Sequence, residues 1–214
     1  NDSMSGWTAL GGQVRNPHML DRNPCGSSSG SGAGAASSMA AGAVGTETNG
    51  SVICPSNANG IVGFKPTVGL VSQQYIVPIS STQDTAGPMT KSVMGAAMMM
   101  NAMATGSAKK DYVAALDQDI LRGKRVGVLR YSTGSNKDIN MLFEESLNVL
   151  KEAGAELVEI TKNPIELNEF GQFSFDVLLY EFKATLNDYL AATPDTVKTR
   201  SLAEVIAFNI ENAE

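Results

Sequence analysis

Histidine is nearly absent from this 214-residue chain: His18 is the only one. A Ser-His-Asp triad needs an imidazole oriented by a carboxylate and set beside the nucleophile. His18 stands in an Asn-Pro loop that offers neither, and it reads as a surface or structural residue. Cysteine is scarce too. Cys25 and Cys54 could close one disulfide but make no framework. They read as small buried residues, with the reduced pair favoured. No His/Cys/Asp cluster has ligand spacing, so no metal and no cofactor is implied. Basic residues are outnumbered, 16 Lys and Arg against 22 Asp and Glu. That removes the electrostatic footprint of a nucleic-acid binder. Long apolar runs are missing as well. The greasiest stretch, Ala96-Ala97-Met98-Met99-Met100, is far too short for a membrane span. No secretory signal is visible at the start, and no internal repeat is found. The balance, 43% hydrophobic and 18% charged, describes a globular protein with enough chain for one substantial core.

What the chain does have is a run of small residues. Seven Gly, six Ser and six Ala fall among the 25 residues from Gly26 to Gly50. Small side chains let backbones approach each other and a ligand closely. A flexible linker could share this composition, but element-like segments flank the run without a charged transition. Two motif matches inside it fail on context. Gly26-Ser27-Ser28-Ser29-Gly30 fits the G-x-S-x-G nucleophile elbow, yet no strand precedes it and no histidine follows. Gly30-Ser31-Gly32-Ala33-Gly34 hints at a phosphate loop, yet no strand leads in and no Lys-Ser or Lys-Thr ends it.

The remaining pattern predicts an α/β protein. Residues 1–25 read as loop and turns, with Trp7 as a packing residue. Ser29–Ala43 reads as a glycine-rich buried helix, and Ile61–Phe64 as a short buried strand. Thr90 reads as the cap of a helix to about Thr105, with Val93, Ala96, Ala97 and Met100 on one face. Arg125–Tyr131 reads as a strand and Asp138–Ala153 as an amphipathic helix, carrying Leu142, Phe143, Leu147 and Leu150 at helical spacing. Gly154 is placed to end that helix. Ala155–Thr161 alternates like a strand, which completes a β-α-β unit with a parallel element. Phe173–Ala192 and Ser201–Ala213 read as helices separated by Pro194.

Ser27 and Ser51 lie 24 positions apart, and Ser51 follows Thr46-Glu47-Thr48-Asn49-Gly50. This spacing and turn resemble the amidase signature family, which hydrolyses carboxamides with a Ser–cis-Ser–Lys triad. Arg15-Asn16-Pro17, Arg22-Asn23-Pro24-Cys25, Gly60-Ile61-Val62-Gly63-Phe64-Lys65-Pro66-Thr67 and Gln83-Asp84-Thr85-Ala86-Gly87-Pro88-Met89 resemble its flanking blocks. Leu179–Ala184 and Ser201–Asn209 are similar to its bacterial peptide amidase branch. The resemblance implies a mixed β-sheet core flanked by helices on both faces. It implies Ser51 as nucleophile, Ser27 after a cis peptide bond as proton relay, and the N–H groups of Thr48, Asn49, Gly50 and Ser51 as an oxyanion hole. Thr46 and Ser28 become candidate substrate contacts. Glu47 reads as a brace for the loop. The implied partner is a small-molecule or peptide amide, with no nucleic acid and no membrane.

Three departures qualify the resemblance. Asn49 stands where many relatives have Gly, and Ile53 where many carry Arg. The family's catalytic lysine lies upstream of the signature, whereas Lys65, the first lysine here, follows it. The expectation is therefore one partial domain, residues 1–214, with a signature core at 11–105 and a β-α-β and helical portion at 106–214. Such a piece lacks its lysine segment and C-terminal part, and is expected to be inactive alone. Two rival functions remain open: the glutaminase-type component of a tRNA-dependent amidotransferase, and a noncatalytic scaffold.

Overall fold

The computed structural model of the chain describes residues 5–116, 118–163 and 170–213. The described chain divides into two compact units, Asn1–Val113 with Ser174–Glu214, and Ala114–Phe173. The late helical portion, Ser174–Glu214, groups with the signature core.

The first unit opens with a two-residue hairpin, β1 (Trp7–Thr8) and β2 (Gly12–Gln13). Trp7 is largely exposed there and packs no core. Helix α1 (Ser29–Ala36) follows, then strand β3 (Gly42–Glu47), helix α2 (Ile53–Ala58), and strands β4 (Val62–Gly63) and β5 (Thr85–Thr90). The three strands form an antiparallel sheet in the order β3-β5-β4. Helix α1 is half the expected length. The chain leaves it at Ser37, turns through Ser38 with φ 62°, and re-enters as β3.

Small residues make this sheet what it is. Gly45 and Gly87 face each other across β3 and β5. A Cβ on Gly45 would meet Met89 Sδ at 2.6 Å and Ser28 Oγ at 2.9 Å, and one on Gly87 would meet the Phe64 carbonyl oxygen at 2.1 Å. Backbone and helix therefore press on the sheet at distances no side chain permits. Ser28 and Ser31 staple α1 to β3. The Ser28 hydroxyl donates to Thr46 O and accepts from Thr46 N, both at 3.1 Å, and Ser31 Oγ donates to Val44 O at 2.8 Å.

Helix α3 (Val93–Met103) buries Ala96, Ala97 and Met100, while Val93 turns outward. Its cap is Ser92, whose side chain accepts from Gly95 N at 3.1 Å. Thr90, the expected cap, ends β5 instead. Met100 packs with Val71, Ala86, Ala104 and Ala108 into the main apolar cluster. Helix α5 (Phe170–Ala191) has most of its length in this unit, as does α6 (Leu202–Glu211), capped by Ser201. Arg200 closes the end of α5 by donating to the carbonyls of Ala191, Thr193 and Pro194. A cation there suits the negative end of the helix dipole.

The second unit is the expected β-α-β motif. Strand β6 (Arg125–Leu129) and strand β7 (Glu156–Ile160) pair in parallel, joined by α4 (Lys137–Glu152). Val128, Leu147 and Ala155 are its buried apolar residues among those described, and Gly154 ends the helix with φ 90°. Arg130 bonds both Glu144 and Glu159, tying α4 to β7.

Cys25 and Cys54 depart from expectation twice over. They form a disulfide with Cα atoms 5.8 Å apart, and Cys54 is exposed rather than buried. Cys25 adopts φ 57°, which turns the chain toward the first turn of α2. The bridge closes a loop of sequence separation 29. For a loop of that size, chain entropy makes the bridge worth about 3.5 kcal/mol. Cys54→Ser is expected to lower stability by about that amount in a denaturant titration. Reductant should bring the parent protein down to the variant's midpoint.

Candidate active site

Two loops deliver two serines to one cavity. Ser27 follows the Gly26–Ser27 peptide bond, which is cis, and leads into α1. Ser51 follows the turn that leaves β3 and immediately precedes Val52, the N-cap of α2. The Ser28 N–H donates to Ser51 O at 3.2 Å, fastening one loop to the other. Both serines line a cavity of about 270 Å³. Neither hydroxyl engages another protein group among the described residues, so both are free to meet a substrate.

The turn carrying Ser51 is wrapped around one carboxylate. Glu47, 5% exposed, closes β3. Its Oε1 accepts from Gly50 N at 2.7 Å, and its Oε2 from Val52 N at 2.8 Å and Ile53 N at 2.9 Å. Lys65 Nζ lies 3.9 Å from the same carboxylate and donates to Thr48 O at 2.7 Å. Burial by itself would raise the Glu47 pKa. The Ile53, Val52 and Gly50 N–H groups, with the Lys65 charge, outweigh it and hold the carboxyl below its ordinary value. Glu47 is thus an ionised brace, as expected, and it also satisfies the open N–H groups at the start of α2. Gly50 has φ +87°, the left-handed turn that lets its N–H point back at Glu47.

This wiring bears on the four expected oxyanion donors, Thr48, Asn49, Gly50 and Ser51. The Gly50 N–H is committed to Glu47. The N–H groups of Thr48, Asn49 and Ser51 have no acceptor among the described residues, and Thr48 and Ser51 line the cavity. Thr46 lines it too. Ser28 stands behind the wall with its hydroxyl held by Thr46.

Asp84 locks the turn to the opposite wall. Its Oδ1 accepts from Thr48 Oγ1 at 2.5 Å, and its Oδ2 from Ile79 N at 2.7 Å and Ser80 N at 2.8 Å. Glu181 on α5 accepts from Ser80 Oγ and from the N–H and hydroxyl of Thr82. One face of α5, carrying Thr185, Asp188 and Tyr189, thereby closes the cavity across from the serines. Sequence reasoning missed this face. Its trace is the spacing of Glu181, Thr185 and Asp188, polar residues one helical turn apart. His18 plays no part here: its Nε2 lies 3.1 Å from Asn59 O, well away from the cavity lining.

The same fold recurs in known proteins. The chain superimposes on the X-ray structure of native peptide amidase from Stenotrophomonas maltophilia with a TM-score of 0.89 and 43% identity, over 99% of this chain and 45% of that one. It is 40% identical to a putative amidase of Arthroderma benhamiae over 81% of this chain and 31% of the relative. It is 39% identical to the A-type component of the glutamyl-tRNA(Gln) amidotransferase of Bdellovibrio bacteriovorus, over 72% of this chain and 34% of that protein. The chain thus spans 31% to 45% of the length of these relatives. The Amidase family model matches residues 3–213. With its paired serines, its α/β fold and this match, the chain belongs to the amidase family, the amidase signature enzymes.

Proposed function

We propose that the protein carrying this chain hydrolyses a carboxamide to a carboxylate and ammonia through an acyl-enzyme on Ser51. The observation that carries the reading is the pair of unengaged hydroxyls, Ser27 and Ser51, lining one cavity beside a turn with open N–H donors. Serine needs a base to become a nucleophile. Ser51 Oγ bonds to the carbonyl carbon, and its proton passes to Ser27 and on to the base. The carbonyl oxygen takes the developing charge and is met by the N–H groups of Thr48, Asn49 and Ser51. The C–N bond then breaks as the nitrogen takes the proton and leaves as ammonia. Water, deprotonated by the same route, cleaves the ester and restores Ser51.

Among the described residues no lysine lines the cavity, and Lys65 is spent on Thr48 O and Glu47. The base in this reading is a lysine from outside these 214 residues, and the isolated chain releases no ammonia. Peptide amides are the favoured substrates, because the solved peptide amidase overlays nearly the whole chain. The similarity to the amidotransferase component supports a second reading, glutamine hydrolysis inside a complex. Ammonia release by the complete gene product separates them. An amidated dipeptide as substrate supports the first reading. Release from glutamine only, and only with partner proteins, replaces it with the second. No release from either overturns both.

A further inference from the structure

The cavity is acidic and has no cation of its own. Glu47, Asp84 and Asp188 line it, and among the described residues no Lys, Arg or His does. Two of the three carboxylates are filled. Glu47 accepts three N–H groups and has Lys65 beside it. Asp84 accepts from Thr48, Ile79 and Ser80. Asp188 is different: it is exposed, and its carboxylate meets no donor or cation among the described residues. Its own helix does not favour it either. Asp188 sits in the last turn of α5, where the helix dipole opposes a negative charge. Arg200, the cation that closes this end, lies against Asp195 rather than Asp188. Yet the position is well held. Glu181, seven residues earlier on the same face, is anchored to Ser80 and Thr82, and Leu186 beside it is buried.

We propose that Asp188 sets a preference for amide substrates that carry a positive charge away from the scissile bond. An unpaired carboxylate facing a cavity with no opposing charge attracts a cation and repels an anion. The group that fits is an ammonium, such as the free α-amine of a short peptide amide, with its amide carbonyl at Ser51. The side chain acts by charge on the bound substrate and takes no part in bond making. The same charge disfavours the carboxylate product once it forms.

This inference rests on the amidase reading, and the test keeps the two apart. The complete gene product is given one dipeptide amide in two forms, with a free amine and N-acetylated. The readout is the ratio of their kcat/KM values, in which the enzyme's own ionisations cancel. The free amine is expected to win by about fivefold, the worth of a partly exposed ion pair. The preference should fade above about pH 8, as the amine loses its proton, and shrink in high salt. Asp188→Asn should bring the ratio to about one by slowing the free amine alone, and Asp188→Lys should invert it. Hydrolysis of both forms at equal kcat/KM, or an equal loss for both in Asp188→Asn, overturns the inference and leaves the amidase standing. Hydrolysis of neither form overturns the peptide-amide reading as well.

Discussion

Ser51→Ala in the complete gene product is expected to abolish ammonia release, with kcat falling on the order of 10⁶-fold. The size follows from what the hydroxyl does and does not do. It supplies the only protein atom that bonds to the substrate carbon, so no neighbour can stand in. It makes no hydrogen bond to protein among the described residues, so its loss leaves the fold unstrained. Thermal unfolding of Ser51→Ala should therefore match the parent within about 0.5 kcal/mol. Ser27→Ala should be milder, about 10² to 10⁴-fold, the range for a lost proton-transfer group. Ser28→Ala should show the opposite profile. It releases the staple to Thr46 and costs stability of about 1 kcal/mol before it costs turnover. A stable, folded Ser51→Ala protein that still releases ammonia would remove Ser51 from the chemistry.

Glu47→Gln is expected to damage the fold about as much as loss of the disulfide. Three backbone N–H groups converge on this carboxylate. An amide offers one oxygen and turns an NH₂ toward a donor. At least one buried N–H then loses its acceptor, and Lys65 loses its counter-charge. Together these cost about 3 kcal/mol. The turn carrying Ser51 moves with them, and a displacement of about 1 Å is worth roughly 10²-fold in rate. The pH dependence carries the signature. Because Glu47 is held below its ordinary value of 4.5, its stabilisation is fully present above that value. It is lost as pH falls through the lower, folded value. The gap in stability between parent and Glu47→Gln should be constant from about pH 7 to 5 and close below 4.5. A gap that persists unchanged at low pH would assign the damage to shape rather than charge.

Much of this is legible from residues alone. The β-α-β unit shows in the sequence because β6 and β7 alternate and α4 is amphipathic, signals that local chemistry writes directly. The serine pair shows because its spacing and its turn agree. Strands β3 and β5 do not show. Gly42–Glu47 has almost no strand propensity, and every residue of Thr85–Thr90 is buried, so no alternation survives. Helix α1 reads too long in the sequence because alanines continue past Ser37, while the turn that ends it is set by the sheet it meets. The links of Glu47 to Lys65, of Thr48 to Asp84 and of Ser80 to Glu181 span 18 to 101 residues. Pairings of that reach are made by the fold and leave no local pattern. The disulfide belongs with them: nothing near Cys25 or Cys54 announces the other.

The bridge also changes what a broken chain would mean. Ser27 and Ser51 lie inside the loop it closes, so the segment bearing both is a covalent ring. The ring's most accessible stretch is the turn at residues 37–41, where Met39 is 85% exposed. A protease that cuts there opens the ring without dividing it. Each serine stays on its own strand of a molecule still held by Cys25 and Cys54, and by the sheet beneath. Only a reductant acting after the cut would let the two reactive groups part.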